Sequence, residues 1–517
     1  MHEWPTVNTN DRFLSFESPE EFRELREVFD RAAYRDGAIL DLLGVKDFPS
    51  LRGTDLPLLL RRTRGGSPLE TLVRIFLVEV PVSMDSLKAA VHPLDPAVLV
   101  RSGLVEISRS EALGAVKIIP FREMLFAFDL PGRLRSPDHR DYVMGVGRSS
   151  LTLANLTVRR PARSTLDLGC GCGIQGLLAA GHSEAVLAVD LNPRAIRFTA
   201  FNAGLNGLDN VEAAEGDRFT AAEGRRFDLI VSNPPFVISP ENQYTYRDGG
   251  MIADEMCRSI VKSAPAYLRE GGFCQVLCNW CELGGQDWRE RLAGWFEGSG
   301  CDVWVMRSET LDAATYASTW IQHTEHHQPE RFVERFDRWM AYYDGEKIDS
   351  VGAGLITMRR RSGSDHWFRA DDAPEKMIGP CGRDILRAFA LRDRLPNAGD
   401  HARWLASAFR LNPDTRLEQT FRPARDGWEE IEVRVARTSG LAYVVRADVA
   451  AANLLARCDG SRPLGLLISE LAASIEADPE SLIEPVVTVV GNLVQSGVLE
   501  PSESTGSADF SLEEDLS

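Results

Sequence analysis

The sequence predicts an α/β fold in which a parallel sheet is covered by helices on both faces, with further, mostly helical regions on either side. Three observations lead to this prediction. Strand-like and helix-like segments alternate from about residue 131 to residue 361, which is typical of parallel sheets. An apolar strand in that region is followed directly by a glycine-rich turn and an apolar helix. The chain has 517 residues, too many for one ordinary core, so roughly three units are expected.

The composition is that of a globular protein, with 44% apolar and 26% charged residues. Several of the nine cysteines lie in apolar stretches such as FCQVLC, which indicates buried thiols in a reducing compartment and no disulfide framework. No run of about 18 uncharged apolar residues occurs, and the start MHEWPTVNTNDRF lacks the order of a signal peptide. We therefore expect a cytoplasmic protein without a membrane segment.

The charge balance bears on the class of partner. The formal net charge is −18 and the pI is near 5.1, which argues against a broad grip on nucleic acid through many Lys and Arg residues. A local basic patch stays possible at three arginine clusters, namely 61, 62 and 64, then 159, 160 and 163, and finally 359 to 361. A protein partner is therefore favoured, nucleic acid remains possible, and the sequence does not predict an oligomeric state.

The chain is predicted to contain five regions. Apolar residues recur at helical spacing in EEFRELREVFDRAAYRDGAILDLLG and PLETLVRIFLVEV, and the next segments run in the order helix, helix, strand, turn and strand. SGVLEP near the C-terminus echoes SGLVEIS in the first region. The predicted regions are a helical plus winged-helix-like domain at 1–130, an α/β domain at 131–361, a connector with a small α+β segment at 362–440, a second winged-helix-like domain at 441–500, and a disordered acidic tail at 501–517.

The segment STLDLGCGCGIQGLLAA predicts a nucleoside cofactor. An apolar strand ends at Asp167 and is followed by Gly169, Gly171 and Gly173, which allow tight turning and close approach to a ligand at a helix start. The same glycines with Gly176 also satisfy the G-x-G-x-x-G dinucleotide pattern, which is weak alone. The order Asp-x-Gly-x-Gly-x-Gly and the residues downstream favour S-adenosylmethionine, which has no pyrophosphate to bind.

Two carboxylates at the ends of later strands fit such a cofactor. Asp190 ends the strand AVLAVD, where it is placed to accept hydrogen bonds from both ribose hydroxyls. Asp217 ends NVEAAEGD, where it is placed to accept one from the adenine amino group. The alternative is a purely structural role, such as a helix N-cap before Asn192.

The segment RFDLIVSNPPFVISP indicates the chemistry. Its apolar strand delivers Asn233, Pro234, Pro235 and Phe236 to the edge of the sheet where ligands bind. An amide or aniline-type nitrogen is a poor nucleophile until its hydrogens are held so that its lone pair faces the methyl group. The Asn233 side-chain oxygen and the Pro234 carbonyl are predicted to accept those hydrogens while Phe236 stacks on the planar group.

No metal site is predicted. Cys274, Cys278 and Cys281 have the CxxxCxxC spacing of some iron-sulfur sites, but they lie on a predicted strand, where four residues span about 13 Å. A helical segment contains His323, His326 and His327 without a further ligand nearby, so a polar helix face explains them.

The motifs DLGCGCGIQ, AVDLNPRA, SNPPF and YRDGGMIADEMCRSIVKSAPAYLREGG resemble the HemK family of release-factor glutamine-N5 methyltransferases. They resemble more loosely the N6-adenine and N2-guanine methyltransferases that share an NPP-aromatic motif. The similarity covers roughly residues 140 to 285. It implies a seven-stranded, Rossmann-like class I fold, S-adenosylmethionine as cofactor at Gly169–Gly173 and Asp190, an acceptor amide held by Asn233–Phe236, and Asp248–Gly250 as the loop after the active site.

The chain departs from the family pattern in three respects. Phe236 stands where the family commonly has Tyr, Met251 to Ala253 replace a second Asp-Gly, and the two ends of the chain do not match the family. The expected function is therefore an N-methyltransferase that acts on a protein, with a glutamine side chain as the first candidate. Methylation of an exocyclic base amine in RNA or DNA is the alternative, and a small-molecule acceptor stays open.

Overall fold

The computed structural model describes residues 13–48, 55–135, 139–241, 244, 246–325, 329–395 and 400–502. The chain divides into two compact units. The first consists of Met1–Ala154 with Ala162–Asp371, and the second of Asn155–Pro161 with Asp372–Ser517. The predicted acidic tail lies outside the described residues, apart from its first two positions.

The N-terminal part of the first unit is mostly helical. Its helices are α1 (Pro19–Arg31), α2 (Asp36–Leu43), α3 (Leu56–Arg62), α4 (Pro68–Val73), α5 (Met84–Val91) and α6 (Pro96–Arg101). Its strands are β1 (Val82–Ser83), β2 (Val105–Ser108), β3 (Glu111–Gly114), β4 (Val116–Phe121) and β5 (Met124–Asp129). The first three form a small sheet in the order β1-β3-β2, and the last two form a hairpin.

The rest of the first unit is built on a mixed sheet with helices. The strands are β6 (Ala162–Leu168), β7 (Ser183–Asp190), β8 (Val211–Glu215), β9 (Phe227–Ser232), β10 (Leu268–Leu283), β11 (Cys301–Asp312), β12 (Ile348–Arg360) and β13 (Phe368–Asp372). The helices are α7 (Arg148–Leu156), α8 (Ile174–Ala180), α9 (Pro193–Leu205), α10 (Glu255–Ser263), α11 (Trp288–Ala293), α12 (Ala313–Glu325) and α13 (Pro329–Glu346). The α/β prediction for this region is confirmed.

The strand order is β13-β11-β12-β10-β9-β6-β7-β8. The strands from β8 to β10 run parallel, and β12 runs antiparallel to both of its neighbours. The sheet has one strand more than the seven that the family resemblance implied, because β13 adds to the outer edge of β11. Val303 N–H donates to the Trp367 carbonyl (2.9 Å) just before that strand, and the Trp304 indole N–H donates to Asp371 (3.2 Å).

The strand order reverses at the centre of the sheet. From β6 the chain moves outward through β7 to β8, and it then returns to β9 on the other side of β6. In open α/β sheets such a reversal opens a crevice at the carboxyl ends of the two central strands, because the turns that leave them diverge. The candidate site is therefore expected beyond the ends of β6 and β9.

The N-terminal region shares one hydrophobic core with the helices that cover one face of the sheet. Leu25, Phe29 and Phe126 belong to the same buried cluster as Phe198 and Phe201 of α9. The glycine-rich turn and α8 contribute Cys172, Ile174 and Leu177 to the same cluster. The sheet and the N-terminal helices are thus one packed body.

Asn202 of α9 and Asn206, the C-cap of that helix, complete the edge of the β4–β5 hairpin. The Asn202 side chain accepts from the Ala127 N–H (2.8 Å) and donates to the Ala127 carbonyl (2.9 Å). The Asn206 side chain makes the same pair of bonds with Leu125, both at 2.8 Å. Because the two asparagines lie one helical turn apart, their amides replace a neighbouring strand.

The second unit contains the following elements in chain order: β14 (Met377–Ile378), α14 (Gly382–Arg394), α15 (His401–Ala406), β15 (Ala408–Leu411), β16 (Thr415–Ala424), β17 (Gly427–Arg437), β18 (Gly440–Leu441), β19 (Val444–Ala447), α16 (Val449–Ala456), β20 (Asp459–Pro463), α17 (Leu464–Ser474), α18 (Pro479–Gln495) and β21 (Leu499–Pro501). Its sheets have the orders β20-β15-β21, β16-β17-β19 and β14-β18. Leu391, Trp404 and Phe409 share one core with α17 and α18, so part of the predicted connector packs with the C-terminal region.

The third predicted arginine cluster, 359 to 361, and the cysteines are built into the fold. Arg359 and Arg361 both pair with the buried Asp302, at 2.6 and 2.9 Å, and Arg360 donates to the Pro265 carbonyl (2.6 Å). All nine cysteines lie in the described residues, where each is buried and none forms a disulfide.

Within those residues no helix is long and apolar enough to cross a bilayer, and no group of three or more His, Cys, Asp or Glu residues is arranged to hold a metal ion.

Because the N-terminal region and the sheet share a core, we expect fragments with and without that region to differ in cooperative unfolding. A fragment of residues 131–371 lacks the N-terminal side of the core and exposes Phe198 and Phe201, so we expect no cooperative thermal unfolding transition by circular dichroism. A fragment of residues 13–371 restores the core and should unfold cooperatively. A sharp transition in the shorter fragment would contradict the account.

Candidate functional site

The candidate site lies where three neighbouring strands end at one level of the sheet. Leu168 at the end of β6 is paired with Val189 of β7 and with Ser232 at the end of β9. The Ser232 hydroxyl also donates to the Leu168 carbonyl (2.7 Å). The residues that follow Leu168, Val189 and Ser232 are Gly169, Asp190 and Asn233, which therefore open onto the same crevice.

The glycine-rich turn after β6 separates into an open side and a packed side. Gly169, Gly171 and Gly173 all have left-handed backbone conformations, with φ of 72°, 56° and 81°. A Cβ at Gly169 would meet nothing within 4 Å, and one at Gly171 would meet only the Met144 carbonyl, at 4.0 Å. A Cβ at Gly173 would lie 2.8 Å from Leu177 and 2.9 Å from Thr199. The first two glycines thus border open space that a ligand can fill, while the third allows close packing of α8 and α9.

Asp167 lies beneath this turn. Its carboxylate is buried and accepts the Gly176 N–H (2.7 Å), which holds the first turn of α8 in place. Burial raises the pKa of Asp167 from 3.8 to about 7, with a smaller contribution in the same direction from the charge of Asp190. Asp167 therefore supports the glycine-rich turn by fixing the start of α8.

Asp190 lies beside the open side of the turn. Its Oδ2 accepts the Gly171 N–H (2.9 Å) and its Oδ1 accepts the Asn192 N–H (2.9 Å). The N-cap of α9 is Asn192, whose side chain accepts the Arg194 N–H (2.9 Å), so Asp190 does not have that structural role. Burial raises the pKa of Asp190. Each carboxylate oxygen retains acceptor capacity for a further donor.

The turn that carries Asp190 is tied to the segment before β6, which sequence reasoning missed. Asn192 Nδ2 donates to the Asp141 carbonyl (2.8 Å), and Arg194 Nε donates to the buried Asp129 (2.9 Å). The Arg194 guanidinium also lies 3.7 Å from the ring centre of Phe13. These contacts fix the turn against the N-terminal region, and no local pattern in the sequence marked them.

Asp217 follows β8, the strand beyond β7, so it lies at the same edge of the sheet but farther from β6. Its carboxylate is about half exposed and pairs with Arg218 at 3.1 Å. Arg218 was not predicted as a site residue, and its pairing leaves the Asp217 oxygens partly accessible.

The side-chain amide of Asn233, directly after β9, is hydrogen-bonded at its nitrogen and unsatisfied at its oxygen. Its Nδ2 donates to the Ser149 hydroxyl (3.2 Å), which fixes the plane of the amide. Its Oδ1 is buried and accepts a hydrogen bond from no described residue. A buried acceptor of this kind costs free energy until a donor is bound, which marks it as a position for a ligand N–H.

The next three residues form the wall beside Asn233. Pro234 is buried, whereas Pro235 and Phe236 are partly exposed. The loop that returns after them runs against Pro235, because a Cβ at Gly249 would lie 2.9 Å from the Pro235 carbonyl oxygen. Asp248, just before Gly249, is buried and accepts from the Ser239 hydroxyl (3.1 Å) and the Tyr244 N–H (3.1 Å).

The other candidates from the sequence lie elsewhere. Cys274 and Cys278 belong to one hydrophobic cluster of the β10 strand and Cys281 to another, so these thiols do not converge on one metal. Trp280 and Trp288 stack at 5.6 Å in the core. His326 and His327 lie outside the described residues.

Comparison with known proteins places this site in a family. Residues 146–286 match the family described as "Methyltransferase small domain", and residues 31–115 and 388–501 each match a domain of unknown function. Over 137 residues the chain is 31% identical to "Putative protein N5-glutamine methyltransferase" of Methanocaldococcus jannaschii, covering 25% of this chain and 68% of that protein. The chain belongs to the class I S-adenosylmethionine-dependent methyltransferases of the HemK type.

This methyltransferase is also 38% identical over 131 residues to the release factor glutamine methyltransferase of Xylella fastidiosa, with 23% of this chain and 47% of that protein covered. A third relative is the ribosomal RNA small subunit methyltransferase C of Salmonella arizonae, 30% identical over 133 residues, with 25% and 35% covered. The methyltransferase thus spans about half the length of the first curated relatives it matches. S-adenosylmethionine is the usual cofactor of this class.

The raised pKa of Asp167 predicts a pH dependence of stability. Between pH 5 and pH 7 the folded methyltransferase binds a proton at Asp167 that the unfolded chain has lost, so the free energy of unfolding should fall by about 1.4 kcal/mol per pH unit. Asp167→Asn removes this titration while keeping an acceptor for the Gly176 N–H. The difference in unfolding free energy between variant and wild type, measured by urea titration, should rise from pH 5 to pH 7 and stay level above it. A difference that does not change with pH would refute the assignment.

Proposed function

We propose that this methyltransferase transfers the methyl group of S-adenosylmethionine to the side-chain amide nitrogen of a glutamine in a protein. The observation that carries the proposal is the buried Oδ1 of Asn233, which lacks a donor among the described residues and lies at the same strand-end level as the open glycine turn. An acceptor that brings an amide N–H satisfies this atom.

The cofactor is assigned to the crevice between the glycine turn and Asp190. The backbone at Gly169 and Gly171 allows close approach of the ligand, and the two oxygens of Asp190 accept the ribose hydroxyls. Asp217, at the end of the neighbouring strand, is assigned to the adenine amino group. When bound, S-adenosylmethionine supplies an already activated, electrophilic methyl group, so the protein mainly needs to align the acceptor.

The acceptor amide is assigned to Asn233, Pro234 and Phe236. Asn233 Oδ1 accepts one amide hydrogen and the Pro234 carbonyl accepts the other, which turns the nitrogen lone pair towards the methyl group. The partly exposed ring of Phe236 stacks on the amide plane. Ser149 supports this geometry, because it holds the Asn233 amide by its nitrogen and leaves the oxygen for the substrate.

Three observations favour a protein substrate. The net charge is −18, and one of the three predicted basic clusters is occupied by Asp302 and the Pro265 carbonyl. Two of the three relatives described above are named as glutamine methyltransferases. We further propose that the two winged-helix-like regions, one around α5, α6, β2 and β3 and one around α16 to α18, contact the protein partner.

Methyl transfer from radiolabelled S-adenosylmethionine into cell extract tests the proposal. The wild type should label material that protease removes and nuclease does not, and peptide mapping should place the methyl group on a glutamine. Asn233→Ala should reduce the rate roughly a hundredfold, because the amide loses the acceptor that aligns it. Its affinity for S-adenosylhomocysteine should stay within a few-fold of wild type.

Asn210→Ala is the matched control, since Asn210 lies before β8 at the opposite end of the strands and its side-chain Nδ2 donates to the Ala180 and Ser183 carbonyls. It should keep the wild-type rate. Label that nuclease removes would instead support methylation of a nucleic-acid base, and equal rates for Asn233→Ala and wild type would refute the role of Asn233.

A further inference from the structure

The helical insertion between β11 and β12 packs directly on the loop that follows Phe236. Val237 and Ile238 of that loop belong to one buried cluster with Tyr316 of α12 and with Trp339 and Tyr343 of α13. The insertion therefore shares a core with the acceptor side of the candidate site.

Tyrosine hydroxyls from both helices fix the backbone of this loop. The Ile238 N–H donates to the Tyr316 hydroxyl (3.1 Å), and the Tyr343 hydroxyl donates to the Ile238 carbonyl (2.8 Å). Asn279 Nδ2 on β10 also donates to the Tyr316 hydroxyl (2.7 Å). The insertion thus holds both the N–H and the carbonyl of Ile238, two positions after Phe236.

A buried arginine strengthens the same connection. Arg247 Nε donates to Asp248 (2.8 Å), and its Nη1 donates to the Trp320 carbonyl on α12 (3.4 Å). The Arg247 carbonyl accepts the Val237 N–H (3.1 Å). Buried Glu241 lies 3.7 Å from Arg247 and 3.4 Å from Arg335 on α13. Buried charges held in this way tolerate little displacement, because separating them leaves an uncompensated charge.

Trp320 brings the insertion to the acceptor residues themselves. Its ring centre lies 6.4 Å from that of Phe236 with the planes at 73°, an edge-to-face arrangement. Tyr316 also contacts Trp320, with ring centres 6.2 Å apart. Trp320 and Phe236 are both partly exposed, so their contact lies at the margin of the site rather than in the core.

The geometry points to the insertion as one wall of the acceptor site, with Trp320 as a positioning residue that holds the Phe236 ring in the plane on which the acceptor amide stacks. This inference rests on the proposed function and adds a residue to it. Trp320 does not touch the reacting atoms in this account and acts through Phe236.

Methyl transfer by Trp320→Ala and Trp320→Phe tests the inference. The probe is radiolabelled S-adenosylmethionine with a dilution series of cell extract, half of it nuclease-treated, so that apparent kcat and KM are obtained separately. Trp320→Ala should lose about two- to tenfold in kcat/KM, mainly in kcat, because the edge contact that orients the stacking ring is gone. Trp320→Phe should recover most of this loss. Val333→Ala, at an exposed position of α13, is the control.

Binding of S-adenosylhomocysteine separates positioning from general damage, and every variant should bind it within about twofold of wild type. Wild-type rates for Trp320→Ala would overturn the inference, and so would equal losses in both Trp320 variants accompanied by weaker binding. Label that appears only in the extract without nuclease treatment would refute the protein substrate of the proposed function. The ratio of the Trp320→Ala rate to the wild-type rate in that extract would still decide the inference.

Discussion

The reversal of strand order beside β6 is the constraint on which the site depends. Because the chain leaves β6 towards β7 and returns to β9 on the other side, the turns after β6 and β9 diverge and leave a crevice at the carboxyl edge. The pairing of Leu168 with both Val189 and Ser232 brings the next residue of each strand to that crevice. A glycine turn with no side chains on its open face, a carboxylate and an unsatisfied amide oxygen therefore meet there, although they are far apart in sequence.

The two sides of the crevice are held by different parts of the chain. The turn that carries Asp190 is fixed by Asn192 and Arg194, which bond Asp141 and the buried Asp129. The loop after Phe236 is fixed by the insertion. A rigid site can keep a buried acceptor unpaired at a cost of about 1–3 kcal/mol, and a substrate N–H recovers that cost on binding. The same cost would disfavour acceptors that lack the hydrogen, so under the proposed function Asn233 contributes to selectivity as well as alignment.

The sequence predicted the parts of the site that follow from local patterns. Apolar strands ending in Asp190 and before Asn233, and glycines at alternate positions, are visible in short windows, and the structure brings them to one edge. Contacts between distant segments were not visible. No local pattern marks Ser149, whose importance comes from its bond to Asn233 across the fold. Arg247 precedes the predicted loop Asp248–Gly250, but no local pattern shows its contact with Trp320. β13 was missed because it is short and follows a loop, and the shared N-terminal core because periodicity shows which face is apolar but not what covers it.

In the proposed function the cofactor and the acceptor occupy separate halves of one crevice, with Asp190 on the cofactor side and Asn233 on the acceptor side. Calorimetric titration of S-adenosylhomocysteine into wild type, Asp190→Ala and Asn233→Ala tests it most directly. We expect the wild type to bind, Asp190→Ala to lose at least tenfold in affinity because two hydroxyl contacts are removed, and Asn233→Ala to keep near wild-type affinity. Equal affinity for Asp190→Ala and wild type, or absence of binding by the wild type, would contradict it.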